Sequence, residues 1–421
     1  MLKKLSMVVL VLALVFSINA GVMAQDDVTE IQLLIGKPEV AKQLEEMVGK
    51  FNQEKDDINL ELIPLAGQNA YQKMTAMYSS GNAATIINMG GEIDEFGDRL
   101  LDLSDMKIAD YLVEGTAYTY NDKLVALPLT VEAFGLIYNK DVIEDVFGSD
   151  YDISKVNTRK ELEEVFKEIK AADGVAPVTL SPMDWSLGAH LTNIMFTTQS
   201  AESSKRHQFL DSMKKGEVDL VNNKQFDGWL KTFDLIKEYN LHQSSPLSPT
   251  YDDAVMELAN GEAAFWFMGN WALPQLNEVN AEAEYGFLPY PISNNPDDYG
   301  NNKISVGVPS YWVIDKSQST EAEQEAAKEF LTWLVTSETG QDYYINQLNF
   351  IPAFDNFEIS PQDNLSNSII EYMNKGNTLE WMNNYYPSGY FPEMGSSLQK
   401  YLAGYSDKEQ LAEEFMNLWQ E

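Results

Sequence analysis

Apolar positions along the chain follow two periods, and their order gives a first outline of the architecture. Ile31–Ile35 is a short apolar run of the kind a buried strand makes, and Val40, Leu44, Met47, Val48 and Phe51 then recur at helical spacing. Ile58–Ile63 predicts a second strand, and Tyr71–Tyr78 a helix that Ser80-Gly81-Asn82 ends. Thr85–Met89 predicts a third strand, running into Gly90-Gly91. Strand, helix and strand alternate, which predicts a mainly parallel sheet flanked by helices. In such sheets ligands collect beyond the carboxyl ends of the strands. Those ends are Gly36-Lys37, Gly67-Gln68 and Gly90-Gly91-Glu92, so Lys37, Gln68, Gly91 and Glu92 are candidate ligand contacts.

A second unit opens with a strand at Phe134–Tyr138. Thr158 and Glu161 have capping-box spacing ahead of a helix whose apolar face is Leu162, Val165, Phe166 and Ile169. Phe226, Trp229, Leu230 and Phe233 mark another amphipathic helix, and Ala263–Met268 a compact strand before Gly269-Asn270-Trp271. The Asn-, Asp-, Pro- and Gly-rich stretch Ser293–Asn302 reads as a surface loop. A strand pattern runs from Ser305 to Ile314, and helices follow at about 320–335, 337–346, 362–375, 392–402 and 406–419. No internal repeat is visible.

The 421 residues are enough for two domains. At the amino end, Lys3 and Lys4 precede the apolar run Met7–Phe16, and Val22-Met23-Ala24 supplies a peptidase site, so residues 1–24 read as a signal peptide cut after Ala24. The chain has no cysteine, which excludes a lipid anchor at that site, disulfides, thiolate metal centres and thiol nucleophiles, and a periplasmic destination is expected. The formal charge of −36 argues against nucleic acid or an anionic membrane as partner. With only His190, His207 and His242, histidine catalysis and metal binding start from weak ground.

Aromatic residues make up 11% of the chain, and several tryptophans lie in polar surroundings: Asp184-Trp185-Ser186, Gly269-Asn270-Trp271 and the segment from Glu380-Trp381 to Tyr386. A sugar presents an apolar face of C–H groups and a rim of hydroxyls, so its site needs flat rings flanked by carboxylates and amides. The run from Leu127-Pro128-Leu129-Thr130-Val131-Glu132 to Tyr138-Asn139-Lys140-Asp141 resembles the crossover segment of maltose-type carbohydrate-binding proteins of ABC importers. Gly261-Glu262-Ala263-Ala264 with Gly269-Asn270-Trp271 is similar to that family's second signature, and Glu329-Phe330-Leu331 with Thr336–Gln341 to its third.

The resemblance implies a two-lobed periplasmic-binding-protein fold, each lobe an α/β sheet flanked by helices, closing on a solute about hinge strands. It implies a first lobe of residues 25–131 and 304–350 and a second of 132–303 and 351–421. Glu132 then lies at the cleft floor, Trp271 at a stacking position with Asn270 beside it, and Trp185, Tyr311, Trp381 and Tyr390 are further candidates. The implied protein is a monomeric, cofactor-free, non-enzymatic receptor that hands a neutral sugar or oligosaccharide to membrane permease subunits.

Two other classes stay open on the residues alone. A secreted glycoside hydrolase would use similar rings with a pair of carboxyl groups, although no Gly-x-Ser-x-Gly elbow, phosphate-binding glycine loop or His-Glu-x-x-His helix is present. The same fold could hold an amino acid, polyamine or oxyanion. Arginine only at 99, 159 and 206 weakens the oxyanion, whereas the acidity of the chain favours the polyamine.

Overall fold

The computed structural model describes residues 28–387 and 389–420, so the leader read at 1–24 lies outside the described residues. Twelve strands are described: β1 (Thr29–Ile35), β2 (Ile58–Pro64), β3 (Ile86–Met89), β4 (Tyr118–Tyr120), β5 (Lys123–Pro128), β6 (Glu132–Asn139), β7 (Ala176–Thr179), β8 (Ala263–Gly269), β9 (Tyr285–Leu288), β10 (Ile304–Gly307), β11 (Tyr311–Ile314) and β12 (Thr378–Leu379). They form two sheets. The first has the order β2-β1-β3-β11-β5-β4, and the second the order β12-β10-β6-β8-β7, with β9 also on β6.

Both sheets bury both faces. Along β1, Ile31, Leu33 and Ile35 enter one core and Leu34 the other. Along β8, Phe265 and Phe267 face one core while Trp266 and Met268 face its opposite. This two-sided burial is why the strands read as continuous apolar runs rather than alternating ones. Helices cover the faces, among them Ala41–Glu54, whose buried Leu44, Met47, Val48 and Phe51 are four of the five residues whose spacing predicted it. The helix Arg159–Ala171 begins with the expected Thr158–Glu161 capping box.

The sheets are mixed rather than mainly parallel. The β-α-β units do pair in parallel, as β1 with β2 and β3, and β7 with β8. Every antiparallel pair among the described residues includes β5, β6, β10 or β11, the strands that flank two passages between the sheets. A strand that arrives from the other sheet enters against the local direction, a consequence of long-range connectivity that local periodicity does not carry. The single strand read from Ser305 to Ile314 is in fact two. Strand β10 is held by β6 and β12 in the second sheet, and β11 by β3 and β5 in the first, so the chain changes sheet within Val308–Ser310, later than the residue 304 expected.

Three segments pass between the sheets, and they bond to one another. Leu129 N–H donates to Ser310 O (3.0 Å), Val131 N–H to Ile351 O (2.8 Å), and Ile351 N–H to the Thr130 hydroxyl (3.0 Å). The buried Tyr344 phenol donates to Leu129 O.

In the second sheet's layer, a π-helical stretch at Ser186–Leu191 lies on the helix Tyr390–Leu402 at backbone distance. A Cβ on Gly188 would fall 1.7 Å from the Phe391 carbonyl oxygen, and one on Gly395 2.3 Å from that of Asp184. Gly188→Ala is therefore expected to cost at least about 2 kcal/mol in urea denaturation, as overpacking does. Gly49→Ala, in the interior of a helix where a Cβ meets open space, is expected to raise stability by about 0.5–1 kcal/mol.

Candidate functional site

The strand β6 begins where the chain enters the second sheet, and its first residue is Glu132. Glu132 is buried and pairs across to Gly307 of β10. Lys37, just beyond the carboxyl end of β1 in the other sheet, places its ammonium 2.5 Å from Glu132 Oε1 and 3.3 Å from Glu39 Oε1. Burial works against the Lys37 charge, but the two carboxylates overcome it and hold the ammonium above the ordinary lysine range. Burial pushes the Glu132 carboxyl up, against the pull of Lys37. The pair thus joins the carboxyl end of β1 in the first sheet to the start of β6 in the second.

Aromatic rings gather beside it. His190 stacks on Phe134 (4.6 Å, 26°) and lies 4.9 Å from Trp271, 5.4 Å from Trp185 and 6.0 Å from Trp381. The π-helical stretch is what brings Trp185 and His190 together, since residues five apart share a face at that wider winding and diverge on an α-helix. Trp271 rests on Gly269, where a Cβ would lie 2.0 Å from the indole; Trp381 rests on Gly307, where one would lie 2.7 Å away. Asn270 accepts from Ala133 N–H (2.9 Å), which ties the Trp271 turn to β6. Asn193 secures the Trp381 segment by donating to Glu380 O (3.2 Å) and accepting from Asn383 N–H (3.2 Å). Behind it, Glu380 takes Arg206 Nε (3.0 Å) and His207 Nε2 (3.0 Å).

A small pocket with about 10 Å³ open to a water-sized molecule lies at this junction, lined by Glu39, Thr130, Glu132, Asn270, Trp271 and Asn349 among others. On the first-sheet side, the Tyr311 ring meets Tyr118 edge-on at 5.3 Å, and the Tyr118 phenol donates to Asp94 (2.6 Å). Burial, and then Tyr385 of the second lobe, push the Tyr311 phenol up to about 12.

Of the expected residues, Lys37, Glu132, Asn270, Trp271, Trp185 and Trp381 come together. Trp381 is 5% exposed and also belongs to the core behind the rings. Tyr311 stands on the first-sheet side. Glu92 is half-buried and accepts from Gly90 N–H (2.9 Å), closing the turn after β3, with Gly91 open beside it. Gln68 sits on an exposed turn after the edge strand β2. Tyr390 packs edge-on against Trp419 at 5.7 Å, on the last two helices. His190, Glu39 and Phe134 were not singled out from the sequence: a lone histidine carries little signal, and no sequence period marks a π turn.

Two α/β lobes tied by three crossing segments, with an aromatic cleft at the junction, define a hinged solute receptor. The chain belongs to the bacterial extracellular solute-binding protein family, whose model matches residues 46–367. It is a non-enzymatic protein of the class that delivers solutes to ABC importers. It is 22% identical over 332 residues to a multiple sugar-binding protein of Streptococcus mutans, covering 76% of this chain and 74% of that protein. The structure of RafE of Streptococcus pneumoniae in complex with raffinose is similar at TM-score 0.79 and 21% identity, over 93% of this chain and 99% of that one. A sugar transporter of Bacillus licheniformis in complex with stachyose gives 0.71 and 18%, over 92% and 98%. At these identities the structures establish the fold.

Burial, and then the Lys37 charge, lower His190 to about 3. As pH falls below about 6.5, the unfolded chain takes up a proton that the folded chain refuses, so His190 removes stability at up to about 1.4 kcal/mol per pH unit. Between pH 6.5 and 5, where carboxylates are still largely ionised, urea denaturation of His190→Phe is expected to show a shallower loss than the wild type.

Proposed function

We propose that the cleft between the lobes binds a neutral oligosaccharide, which the receptor carries outside the cytoplasm to the permease of an ABC importer. The observation that carries this reading is the Trp271 ring on the pocket wall, with Trp185 and His190 beside it, next to a lysine–glutamate pair. Stacked rings suit the C–H faces of pyranoses, and Glu132, Glu39 and the Asn270 amide suit their hydroxyls. The names of the sugar-binding relative and of the raffinose and stachyose complexes support the same ligand class.

In this reading the lobes are residues 25–131 with the segment from β11 to about 350, and 132–307 with 351–421. Residues 1–24 direct export, and the receptor acts as a monomer. The pocket has room for little more than one water, so an oligosaccharide enters when the lobes part about the three crossing segments. Closure then makes contacts from both lobes at once, and that differential contact shifts the population to the closed form.

The test is calorimetric titration with raffinose, stachyose and maltodextrins, beside amino acids. Binding of at least one sugar is expected, with no hydrolysis product after prolonged incubation; a panel without any sugar binder ends the reading. For the sugar that binds, Trp271→Ala is expected to weaken affinity about 30-fold or more, the scale of truncating a buried aromatic anchor, while leaving a cooperative thermal melt.

A further inference from the structure

Without Lys37, the floor of this cleft is the chemistry of a cation site. Glu39, Glu132 and the Trp271 ring line the pocket, and a ring with carboxylates is what an organic ammonium seeks. The chain as a whole, with 65 acidic residues against 29 basic ones, also draws cations in. Yet the position an ammonium would take is filled by the chain itself: Lys37 Nζ lies 2.5 Å from Glu132 and 3.3 Å from Glu39, with the side chain 10% exposed. A tethered group competes with free ones at an effective concentration in the millimolar range or above.

We propose that Lys37 is a tethered counter-cation that bars diffusible organic ammonium ions, polyamines above all, from the cleft, and so makes an acidic receptor selective for uncharged solutes. The inference rests on the reading of this cleft as the ligand site. It assigns Lys37 a role in discrimination, independent of any hydrogen bond it gives a sugar. Removing it leaves the buried Glu132 and the half-buried Glu39 carboxylates repelling one another, and they resolve the conflict by taking up either a proton or a cation.

The experiment titrates spermidine, and separately the sugar panel, into wild type, Lys37→Met and the double variant Lys37→Met/Glu132→Gln. Conditions are pH 8, which favours a cation over a proton at these carboxylates, and 150 mM NaCl, which screens the outer surface. Lys37→Met is expected to bind spermidine at least 10-fold more tightly than the wild type, and the double variant to lose that gain. Equal spermidine affinity in wild type and Lys37→Met, or a gain that survives in the double variant, overturns the proposal. If Lys37→Met does not fold alone, recovery of its cooperative melt by spermidine supports the proposal, and no recovery overturns it. Sugar binding by the wild type without a spermidine gain in Lys37→Met sinks the filter and leaves the sugar reading intact. A spermidine gain with no sugar bound by the wild type does the reverse.

Discussion

The architecture depends on one constraint: a backbone that leaves one sheet for another must satisfy its polar groups on the way. Leaving a buried N–H or C=O unmet costs about 1–3 kcal/mol. Here the crossing segments meet the requirement for each other, Leu129 with Ser310 and Val131 with Ile351, with the Thr130 hydroxyl and the Tyr344 phenol completing the set. The lobes are joined along this seam. Glu132 follows Val131 directly, so the candidate site is held at the seam.

That position explains how a buried ion pair is tolerated. Desolvating a lysine and a glutamate costs several kcal/mol per ion, offset only by close geometry and further partners. Lys37 has two carboxylates, and the pair spans two sheets. Its value lies less in stability than in setting the electrostatics of the floor: it lets two carboxylates stand beside Trp271 with one of their two charges compensated. The same lysine helps keep His190 neutral, so the imidazole behaves as one more flat ring with polar nitrogens.

Much of this was legible in the sequence, and the boundary between legible and hidden has a physical basis. The helices Ala41–Glu54, Arg159–Ala171 and Lys224–Tyr239 were visible because one apolar stripe marks each locally, and the Thr158–Glu161 capping box also opens the second. Lys37, Glu132, Asn270 and Trp271 were found as strand ends or through family likeness, and they do converge. The antiparallel entries of β6 and β11 were hidden because they depend on where the chain crosses, not on any short window. The break between β10 and β11 was hidden because both flanks are apolar and only Val308-Pro309-Ser310 separates them. His190 was hidden because it joins the site through a change of helical winding.

The reciprocal glycines at 188 and 395 have a practical corollary. They seat the carboxyl-terminal helices directly on the turn that carries Trp185 and His190, and Trp419 near the last residue is sunk into the same layer. A fusion partner attached beyond Trp419 would bear on the turn that carries Trp185 and His190. A biosensor built on this receptor belongs with its fluorophore at the exposed rim, near Tyr385 or Asp94, and with its tether at the amino end.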